Sequence, residues 1–392
     1  MKIKIGNACE FINGGSWTES DYRGIGLPVL KVSNFNSSGF SINDISYLNF
    51  DLKNKYEKNK LELNDIIIAT VGSHPSLVNS AAGRTIRVNS NVLNYYLNQN
   101  AICLRVKDSA IIDQIYLFYL TETTVFRNFI QQRGKGAANQ MRIPISGIKD
   151  FSWDFPPLET QKKIAAILSG YDDLIENNLK RIKILEEMAQ QTFEEWFVRM
   201  RFPGYESVAI NKEIGLPEGW KKDFVSNQLG KVKSTTKIKS SEFQNEGDIP
   251  VVDQSRSFIA GFTNDESALI EYSGIPFIVF GDHTRILKLI NFDFARGADG
   301  TQIVVSKNPK MPQHLFYFSL MNIDLSNYHY ARHYKYLKDS EIIIPTEDIA
   351  KRFEELAQKN FYAIENLRNQ NQRLREARDI LLPRLMMGMI EV

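Results

Sequence analysis

The sequence has little of what metal centres and disulfide frameworks require. Its 392 residues include two cysteines, Cys9 and Cys103, and only five histidines. The two cysteines lie far apart and lack the spacing of metal ligands, so neither a structural zinc site nor a disulfide network is expected. Two buried thiols in a reducing compartment are the simpler interpretation.

Long apolar runs are also missing. Residues 1–8 contain no apolar stretch of signal-peptide length, and no segment approaches the ~20 apolar residues of a membrane span. We therefore expect a cytoplasmic protein with no membrane partner. An apolar content of 43% with 24% charged residues is typical of folded proteins, and the length implies more than one hydrophobic core.

Catalytic signatures are incomplete wherever the sequence approaches them. The nearest match to the Asn/Asp-Pro-Pro-aromatic motif of amine methylation, at residues 155–158, lacks both the polar first residue and the aromatic last one. No phosphate-binding Gly-x4-Gly-Lys-Ser/Thr loop and no Gly-x-Ser-x-Gly turn is present. Asp253 and Asp282 lie near predicted strands without the Glu-x-Lys pair of a nuclease. We expect no catalytic residue, no metal site and no cofactor in this chain.

The clearest positive signal is a long helix. Apolar residues recur at alternating spacings of four and three, which predicts a coiled-coil seam: Ile164, Leu168, Tyr171, Ile175, Asn178, Ile182, Leu185, Ala189, Thr192 and Trp196. Prolines precede and follow this segment, and its ~40 residues would extend ~60 Å at the standard helical rise. Asn178 either fixes the register of the seam or is a tolerated polar residue.

The same segment recurs 189 positions later, which indicates an internal duplication. Pro156 falls on Pro345, and the sequence Ile-Glu-Asn at 175–177 falls on the same three residues at 364–366. The second seam is more polar: Phe353, Ala357, Asn360, Ile364, Leu367, Asn371, Leu374, Arg378, Leu381 and Leu385. A region of strand-like and helix-like segments precedes each helix, so each region is predicted to form a compact α+β domain.

Charge is sorted along the chain although the net charge is only +2. No acidic residue occurs between Asp65 and Asp108 or between Glu122 and Asp150, and Asp324 is the only one from 300 to 338. Each of these windows contains several arginines and lysines. This sorting predicts basic surfaces for a polyanion, with chance sorting of solvated loops as the alternative.

Glycine-rich and aromatic loops within these windows are the candidate DNA contacts. Arginine and lysine suit phosphate or guanine, and asparagine and glutamine suit adenine. Solvated surface remains the alternative for each loop. The candidates are Lys31, Ser73, His74, Arg84, Arg133, Lys135, Asn139, Gln140 and Arg142 in the first region, and Lys233, Lys237, Lys239, Arg256, His283, Arg285, Arg332, His333, Tyr334 and Lys335 in the second.

Residues 156–168, Pro-Pro-Leu-Glu-Thr-Gln-Lys-Lys-Ile-Ala-Ala-Ile-Leu, resemble a motif of the specificity subunits of type I restriction–modification systems. Segments 172–178, 185–190 and 195–198 are similar to that family as well, as are 27–34, 82–84 and 216–220. The resemblance covers essentially the whole chain. The second helix departs from the Pro-Leu-Glu-x-Gln form and reads Pro-Thr-Glu-Asp-Ile from residue 345.

The resemblance implies an α+β fold of two similar α/β target-recognition domains separated by two long helices. These helices would form an antiparallel coiled coil, with internal pseudo-two-fold symmetry. The implied boundaries are 1–150 for the first domain, 151–205 for the first spacer helix, 206–345 for the second domain and 346–392 for the second spacer helix.

The resemblance also implies function and partners. Each domain would read half of a split site in double-stranded DNA, two methyltransferase subunits would methylate adenine, and two motor-nuclease subunits could join them. S-adenosylmethionine, ATP and Mg²⁺ would belong to those partners. The residues expected on partner-binding helices are Ile164, Ile175, Ile182, Leu185, Trp196, Phe353, Ile364 and Leu374. The alternatives are a coiled-coil scaffold without DNA recognition and a nuclease lacking familiar motifs.

Overall fold

The computed structural model describes residues 1–36, 39–40, 45–72, 81–137, 140–327 and 332–392. The chain forms two compact units. The first comprises Met1–Glu176 with Gln372–Val392, and the second comprises Asn177–Asn371. The division falls within both long helices, so each unit contains a part of each helix.

The first unit is a mixture of short strands and helices. Its strands are β1 (Lys2–Lys4), β2 (Cys9–Asn13), β3 (Tyr22–Arg23), β4 (Leu27–Leu30), β5 (Phe35–Asn36), β6 (Gly39–Phe40), β7 (Ser46–Leu48), β8 (Ile66–Ala69), β9 (Val71–Gly72), β10 (Thr85–Arg87), β11 (Tyr96–Leu97), β12 (Ala101–Val106), β13 (Lys135–Ala137), β14 (Gln140–Arg142) and β15 (Ser152–Asp154). Its helices are α1 (Ile5–Ala8), α2 (Lys53–Tyr56), α3 (Gln114–Glu122), α4 (Thr124–Gln131), α5 (Ile145–Lys149) and the start of α6 (Leu158–Phe193).

Two four-stranded sheets organise the first unit, in the orders β10-β8-β12-β2 and β11-β4-β7-β3. All four residues of β8 are buried because the strand separates two cores. Ile66 and Ile68 face one core, while Ile67 and Ala69 face the other, as the two-residue period of a strand requires. This explains why the segment reads as a continuous apolar run.

The second unit repeats this plan with fewer strands. Its strands are β16 (Ile210–Asn211), β17 (Leu216–Pro217), β18 (Lys221–Phe224), β19 (Ile249–Val252), β20 (Gly261–Thr263), β21 (Leu269–Ile270), β22 (Phe277–Gly281), β23 (Leu287–Ile290), β24 (Phe294–Arg296), β25 (Thr301–Val304) and β26 (Glu341–Ile344). Its helices are α7 (Val225–Gln228), α8 (Gln313–Met321), α9 (His333–Asp339) and most of α10 (Glu347–Met386).

Strand pairing shows that the units are related repeats. In the first, β4 runs parallel to β11, and β1 pairs with β15. In the second, β19 runs parallel to β24, and β18 pairs with β26 in the same antiparallel sense. The duplication predicted from the two seams therefore extends to the domains that precede them.

A buried glutamine fixes the equivalent helix in each unit. Gln114 accepts a hydrogen bond from the Val106 amide at 2.8 Å and donates to the Leu104 carbonyl at 3.1 Å. Gln313 makes the same two bonds, to Ser306 and Val304. Pairing these glutamines aligns Leu117 with Phe316, one residue away from the alignment that the Leu-Phe-Tyr echo suggests. The resemblance of letters there is out of register with the structure.

The glutamine of the helix motif has a structural role. Gln161 is 1% exposed and donates to the carbonyls of Ile111 and Pro156, while its Oε1 accepts from the Asp113 amide at 2.9 Å. Asp113 in turn accepts from the amides of Ile115 and Tyr116 and so caps α3. The motif therefore joins the start of α6 to the start of α3.

The second repeat replaces this arrangement, which accounts for its departure from the motif. Pro312 precedes α8 and has no side chain that could cap it. Glu354 of α10 does so instead, accepting from the amides of His314 at 3.1 Å and Leu315 at 3.3 Å. Its other carboxylate oxygen lies 2.7 Å from His314 Nδ1. A carboxylate at a helix N-terminus is stabilising because free amides and the helix dipole converge there.

The long helices pack against each other with opposite chain directions within each unit. In the first, Ile164 and Leu168 share a core with Leu385. In the second, Ile182 contacts Leu367 and Ile364, Arg368 pairs with Glu186, and Trp196 lies 6.0 Å from Phe353. Positions rise along α6 as their partners fall along α10, as the antiparallel prediction requires.

The ends of the helices differ from the sequence expectation. α6 begins at Leu158, because Ser152–Asp154 forms β15 and two prolines follow it, and after Phe193 it passes into a π-helical turn, Glu194–Val198. α10 continues through Pro383 to Met386 instead of ending at the proline. Within the described ranges, neither these helices nor any other has the length and apolar character to cross a membrane.

The two seam asparagines bind one another in the second unit. Asn178 Nδ2 donates to Asn371 Oδ1 at 2.9 Å, and the two residues are 7% and 2% exposed. A seven-residue slip of one helix would place Asn178 beside Ile364 or Arg378, and the amide would lose its partner. Such a pair stabilises one register at some cost in stability.

We expect N178L alone to destabilise the second unit by about 1–3 kcal/mol, because it removes the donor to a buried amide. The double variant N178L/N371L should recover most of this loss, since two leucines fit the seam. Denaturant titration of the four proteins of this cycle measures the coupling, with N177L, at the exposed neighbouring position, as the control. Additive effects of the two substitutions would contradict the pairing.

Candidate nucleic-acid interface

Loops of the second unit meet at one edge of its sheets. Because β19 and β24 run parallel, their carboxyl ends lie side by side, and the Gly297 amide donates to the Val252 carbonyl at 2.8 Å. The end of β22 meets the start of β25, where the Asp282 amide donates to the Gly300 carbonyl at 2.7 Å. Residues 253–257, 282–285 and 297–300 thus form one surface, which we call the second loop edge.

The first unit builds the equivalent surface with the same two hydrogen bonds. The Asn98 amide donates to the Leu30 carbonyl at 3.0 Å, and the Thr70 amide donates to the Asn100 carbonyl at 2.9 Å. Residues 31–34, 70–72 and 98–100 therefore adjoin one another, and we call them the first loop edge. Both edges follow from the shared order of strands and not from matching loop sequences.

Gln254 holds the second loop edge together. Its Oε1 accepts from the His283 amide at 3.0 Å, and its Nε2 donates to the Asp299 carbonyl at 2.9 Å. Its own carbonyl accepts from Thr284 Oγ1 at 2.7 Å. One side chain and one peptide group thereby join three loops.

The backbone at this edge is held in uncommon conformations. Arg285 and Asp299 have φ values of 62° and 55°, a left-handed region that costs free energy for residues other than glycine. Gly300 has a φ of 74°, and a Cβ there would lie 2.6 Å from His283 Cδ2 and 2.7 Å from Gln254 Nε2. The loops are therefore packed too closely to admit a side chain at this glycine.

Asp282 attaches α9 to the same edge. Its carbonyl accepts from the His333 amide at 2.9 Å and lies 2.8 Å from His333 Nδ1, and its carboxylate accepts from the Tyr334 amide at 2.8 Å. His333 is only 5% exposed, so its ring supports the loop from beneath. Tyr334 is half-buried, with its ring centroid 6.1 Å from that of Phe280.

Several predicted cations surround this edge. Arg256, His283, Arg285, Arg332 and Lys335 are exposed, and Arg285 also donates to the Leu325 carbonyl at 3.2 Å. Lys237 and Lys239 flank Ile238, whose amide donates to the Arg296 carbonyl and whose carbonyl accepts from the Ala298 amide. Lys233 is exposed on the preceding loop, and no contact between described residues joins it to the edge.

A basic hairpin adjoins the first loop edge. β14 pairs with β9, and Lys135 lies directly opposite Arg142 in the β13–β14 ladder. Both residues are exposed. Like charges at directly opposed positions destabilise a hairpin, and among the residues that the structure describes no carboxylate pairs with either. Such a pair is suited to a phosphate, which would remove the repulsion.

The remaining candidates of the first unit have internal contacts. Lys31 donates to Ser46 Oγ at 2.8 Å and lies over the Tyr22 ring. Arg84 donates to the Phe35 carbonyl, and burial lowers the pKa of its guanidinium. Arg133 stacks on Phe129 with 3.5 Å between its Cζ and the ring centroid. Ser73, His74 and Asn139 lie outside the described residues, as does the side chain of Gln140.

The helix positions predicted for partners face the chain's own cores. Ile164, Ile175, Ile182, Phe353 and Ile364 are at most 8% exposed, while Leu185, Trp196 and Leu374 are half-buried. The seam pattern identifies intramolecular packing, which is the commoner cause of such periodicity. A partner would instead contact the exposed apolar residues of these helices: Ile167, Leu174, Ile184, Met188, Leu356, Tyr362 and Ile380.

Comparison with known proteins decides the family. The family model described as the type I restriction modification DNA specificity domain matches residues 1–187. The type I restriction enzyme MjaIX specificity subunit of Methanocaldococcus jannaschii is 29% identical over 302 residues, which are 71% of this chain and 69% of that protein. The chain belongs to the specificity subunits of type I restriction–modification systems.

Other members of this family match in part or in fold. The HindI specificity subunit of Haemophilus influenzae is 30% identical over 119 residues, 30% of this chain and 25% of its own length. A crystal structure of a type I specificity subunit from M. genitalium covers 98% of this chain and 95% of its own with a TM-score of 0.55. At 15% identity that likeness shows the fold alone. Nothing in these comparisons supports the scaffold alternative.

Sequence reasoning missed the residues that position this specificity subunit's loops. Gln254 and Asp299 carry no charge pattern and no motif, and Asp282 was considered only as a nuclease carboxylate. Their roles arise from hydrogen bonds between loops that are distant in sequence. The one available signal was the repeated strand order, which marks where such loops must meet.

We expect Q254A to weaken DNA binding by about tenfold without changing its salt dependence, because it disconnects loops while removing no charge. Fluorescence anisotropy with cognate DNA at several salt concentrations measures both quantities. Q244A, an exposed glutamine of the same unit, is the matched control. Unchanged affinity in Q254A would show that the loops are held without this side chain.

Proposed function

We propose that this specificity subunit reads a split DNA site, with each loop edge contacting one half. The observation that carries the proposal is the recurrence of the same loop edge in both units, with exposed cations placed on or beside it each time. Loops at strand ends are where a rigid scaffold usually presents binding residues. Two equivalent surfaces in one chain suit a target with two half-sites.

The two edges divide the work between positioning and base reading. The exposed pair Lys135 and Arg142 is suited to phosphates, because closely spaced cations gain most from neutralisation. Arg256, His283 and Arg285 project from the loops that Gln254 and Asp282 hold in place, and side chains on rigid loops can select among base edges. Lys237 and Lys239 supply further phosphate contacts.

The chemistry is assigned to partner subunits. Two methyltransferase subunits would bind this subunit and methylate adenine with S-adenosylmethionine, and two motor-nuclease subunits would use ATP and Mg²⁺ to cleave unmodified DNA. Membership of the family supports this division, and the exposed apolar residues of α6 and α10 offer the partners a surface. This chain would then contribute specificity without catalysis.

Single-molecule sequencing of genomic DNA tests the proposal. Cells expressing this subunit with its cognate methyltransferase should carry methyladenine in one split motif, and the motif should disappear when this chain is deleted. The sequencing also reveals the recognised bases. Absence of any such motif, with the methyltransferase active and bound, would refute the specificity role.

We expect K135Q/R142Q to reduce binding to every DNA sequence about equally and to lower the slope of log K against log salt by about two. The reason is that each cation displaced from phosphate contact releases roughly one fewer counterion. Electrophoretic shifts at graded salt measure the slope, with K180Q/K183Q on the exposed face of α6 as the control. A change confined to one base position would mean that these residues read bases.

The long helices should also set the distance between half-sites. α6 has 36 residues and α10 has 40, which correspond to ~54 and ~60 Å of helix. Half-sites one duplex turn apart require ~34–36 Å. Deleting one heptad from α6 and the facing heptad from α10 should shorten the gap in the methylated motif. An unchanged gap would refute the spacer role.

A further inference from the structure

A cavity of about 310 Å³ in the first unit has no part in the loop edge. It lies where α3 meets α4 and where segments of α6 and α10 pack beside them. Phe118 and Leu382 form an apolar wall. The charged groups that line it are Glu122, Arg127, Asp172, Arg378 and Asp379.

Most of these charges are already matched. Arg378 Nη1 lies 2.6 Å from Asp172 Oδ1, and Arg378 Nη2 lies 2.9 Å from Asp379 Oδ1. The Tyr119 hydroxyl donates to the other Asp172 oxygen at 2.6 Å. Arg378 and Asp172 therefore have little capacity left for a ligand.

Glu122 is the exception. Its Oε1 is shielded from solvent and accepts no hydrogen bond, since its nearest cation, Arg127 Nη2, lies 3.9 Å away. Burial raises the pKa of the Glu122 carboxyl to about 7, and the opposing effects of Arg127 and Arg378 are too small to reverse this. A buried acceptor without a donor is costly, so it calls for a donor from outside the chain.

The balance of charge indicates the sign of that donor. Three carboxylates and two guanidiniums line the cavity, and the surplus carboxylate is the unsatisfied one. We propose that this cavity binds an alkylammonium or alkylguanidinium group, which donates to Glu122 Oε1 and rests its aliphatic part on Phe118 and Leu382. A lysine or arginine side chain of a partner subunit, or a free cellular amine, has this chemistry.

Thermal unfolding of the full chain tests the proposal with n-butylammonium chloride and n-propylguanidinium chloride at pH 8. Sodium chloride at equal ionic strength gives the baseline. We expect a saturable rise in Tm of about 2 °C or more for at least one of the two cations. E122Q should abolish the rise, and E159Q, at an exposed position of α6, should retain it.

A charge-reversed comparison fixes the sign. R127Q removes a cation that competes for the cavity, so it should keep or strengthen the rise. The opposite pattern, loss in R127Q with retention in E122Q, would indicate an anion site and overturn the proposal. A wild-type response no larger than that of sodium chloride would overturn it as well.

The pH dependence supplies a second readout. The charged groups around Glu122 are Arg84, Arg127, Arg378, Asp172 and Asp379. A pKa near 7 leaves the carboxyl mostly protonated at pH 6 and mostly ionised at pH 8, so binding should be up to about tenfold weaker at pH 6. Affinity that does not fall at pH 6 would contradict a role for the ionised carboxylate.

E122Q should remain folded, which keeps the test valid. Because the folded pKa lies above the model value of 4.5, the carboxyl favours folding when protonated and loses that contribution as pH rises through 7. A neutral amide avoids the loss, so E122Q should unfold at the same or a higher temperature than wild type at pH 8.

Assembly with the methyltransferase subunit separates the two sources of the cation. If a partner side chain fills the cavity, E122Q should weaken assembly at least tenfold and free n-butylammonium should compete with it. If a free amine is the ligand, E122Q should assemble normally while losing its Tm response. Both results support the cation site, and they assign its occupant.

Discussion

Antiparallel packing of α6 and α10 is the interaction on which the rest of this structure depends. Neither unit can complete its core from its own domain alone. Ile164 and Leu168 require the Leu385 region of the last helix, and Phe193 requires Phe353 at the start of that helix. Each helix therefore belongs to two cores at once, and the aligned seam is maintained from both ends as well as by the asparagine pair.

The same economy governs the surfaces that carry function. Strand order alone brings three loops together in each unit, through two backbone hydrogen bonds that do not depend on side chains. Side chains are then free to differ, and they do: the first unit adds a basic hairpin, while the second uses Gln254 and Asp282 as cross-links. A scaffold fixed by its backbone tolerates different recognition residues without a change of fold.

The sequence was most informative where a period or a repeat was long. The seams predicted both helices and their antiparallel packing was implied by the family resemblance, while the 189-residue repeat predicted duplicated domains. The loops were less predictable, because contacts such as Gln254 with Asp299 join residues whose spacing carries no signal. Charge identified Lys135 and Arg142 as exposed cations but could not distinguish them from Arg105, which is neutralised by Asp65 at 2.7 Å.

The share of the last helix in the first unit has a consequence for biosynthesis. Residues Gln372–Val392 pack into the core that begins at Met1, whereas the second unit is made of one continuous stretch, Asn177–Asn371. A ribosome delivers the chain from its amino terminus, so the second unit has all its residues available before the first does. The domain synthesised first is therefore the last to be completed, and its exposed apolar surface must be protected until translation ends.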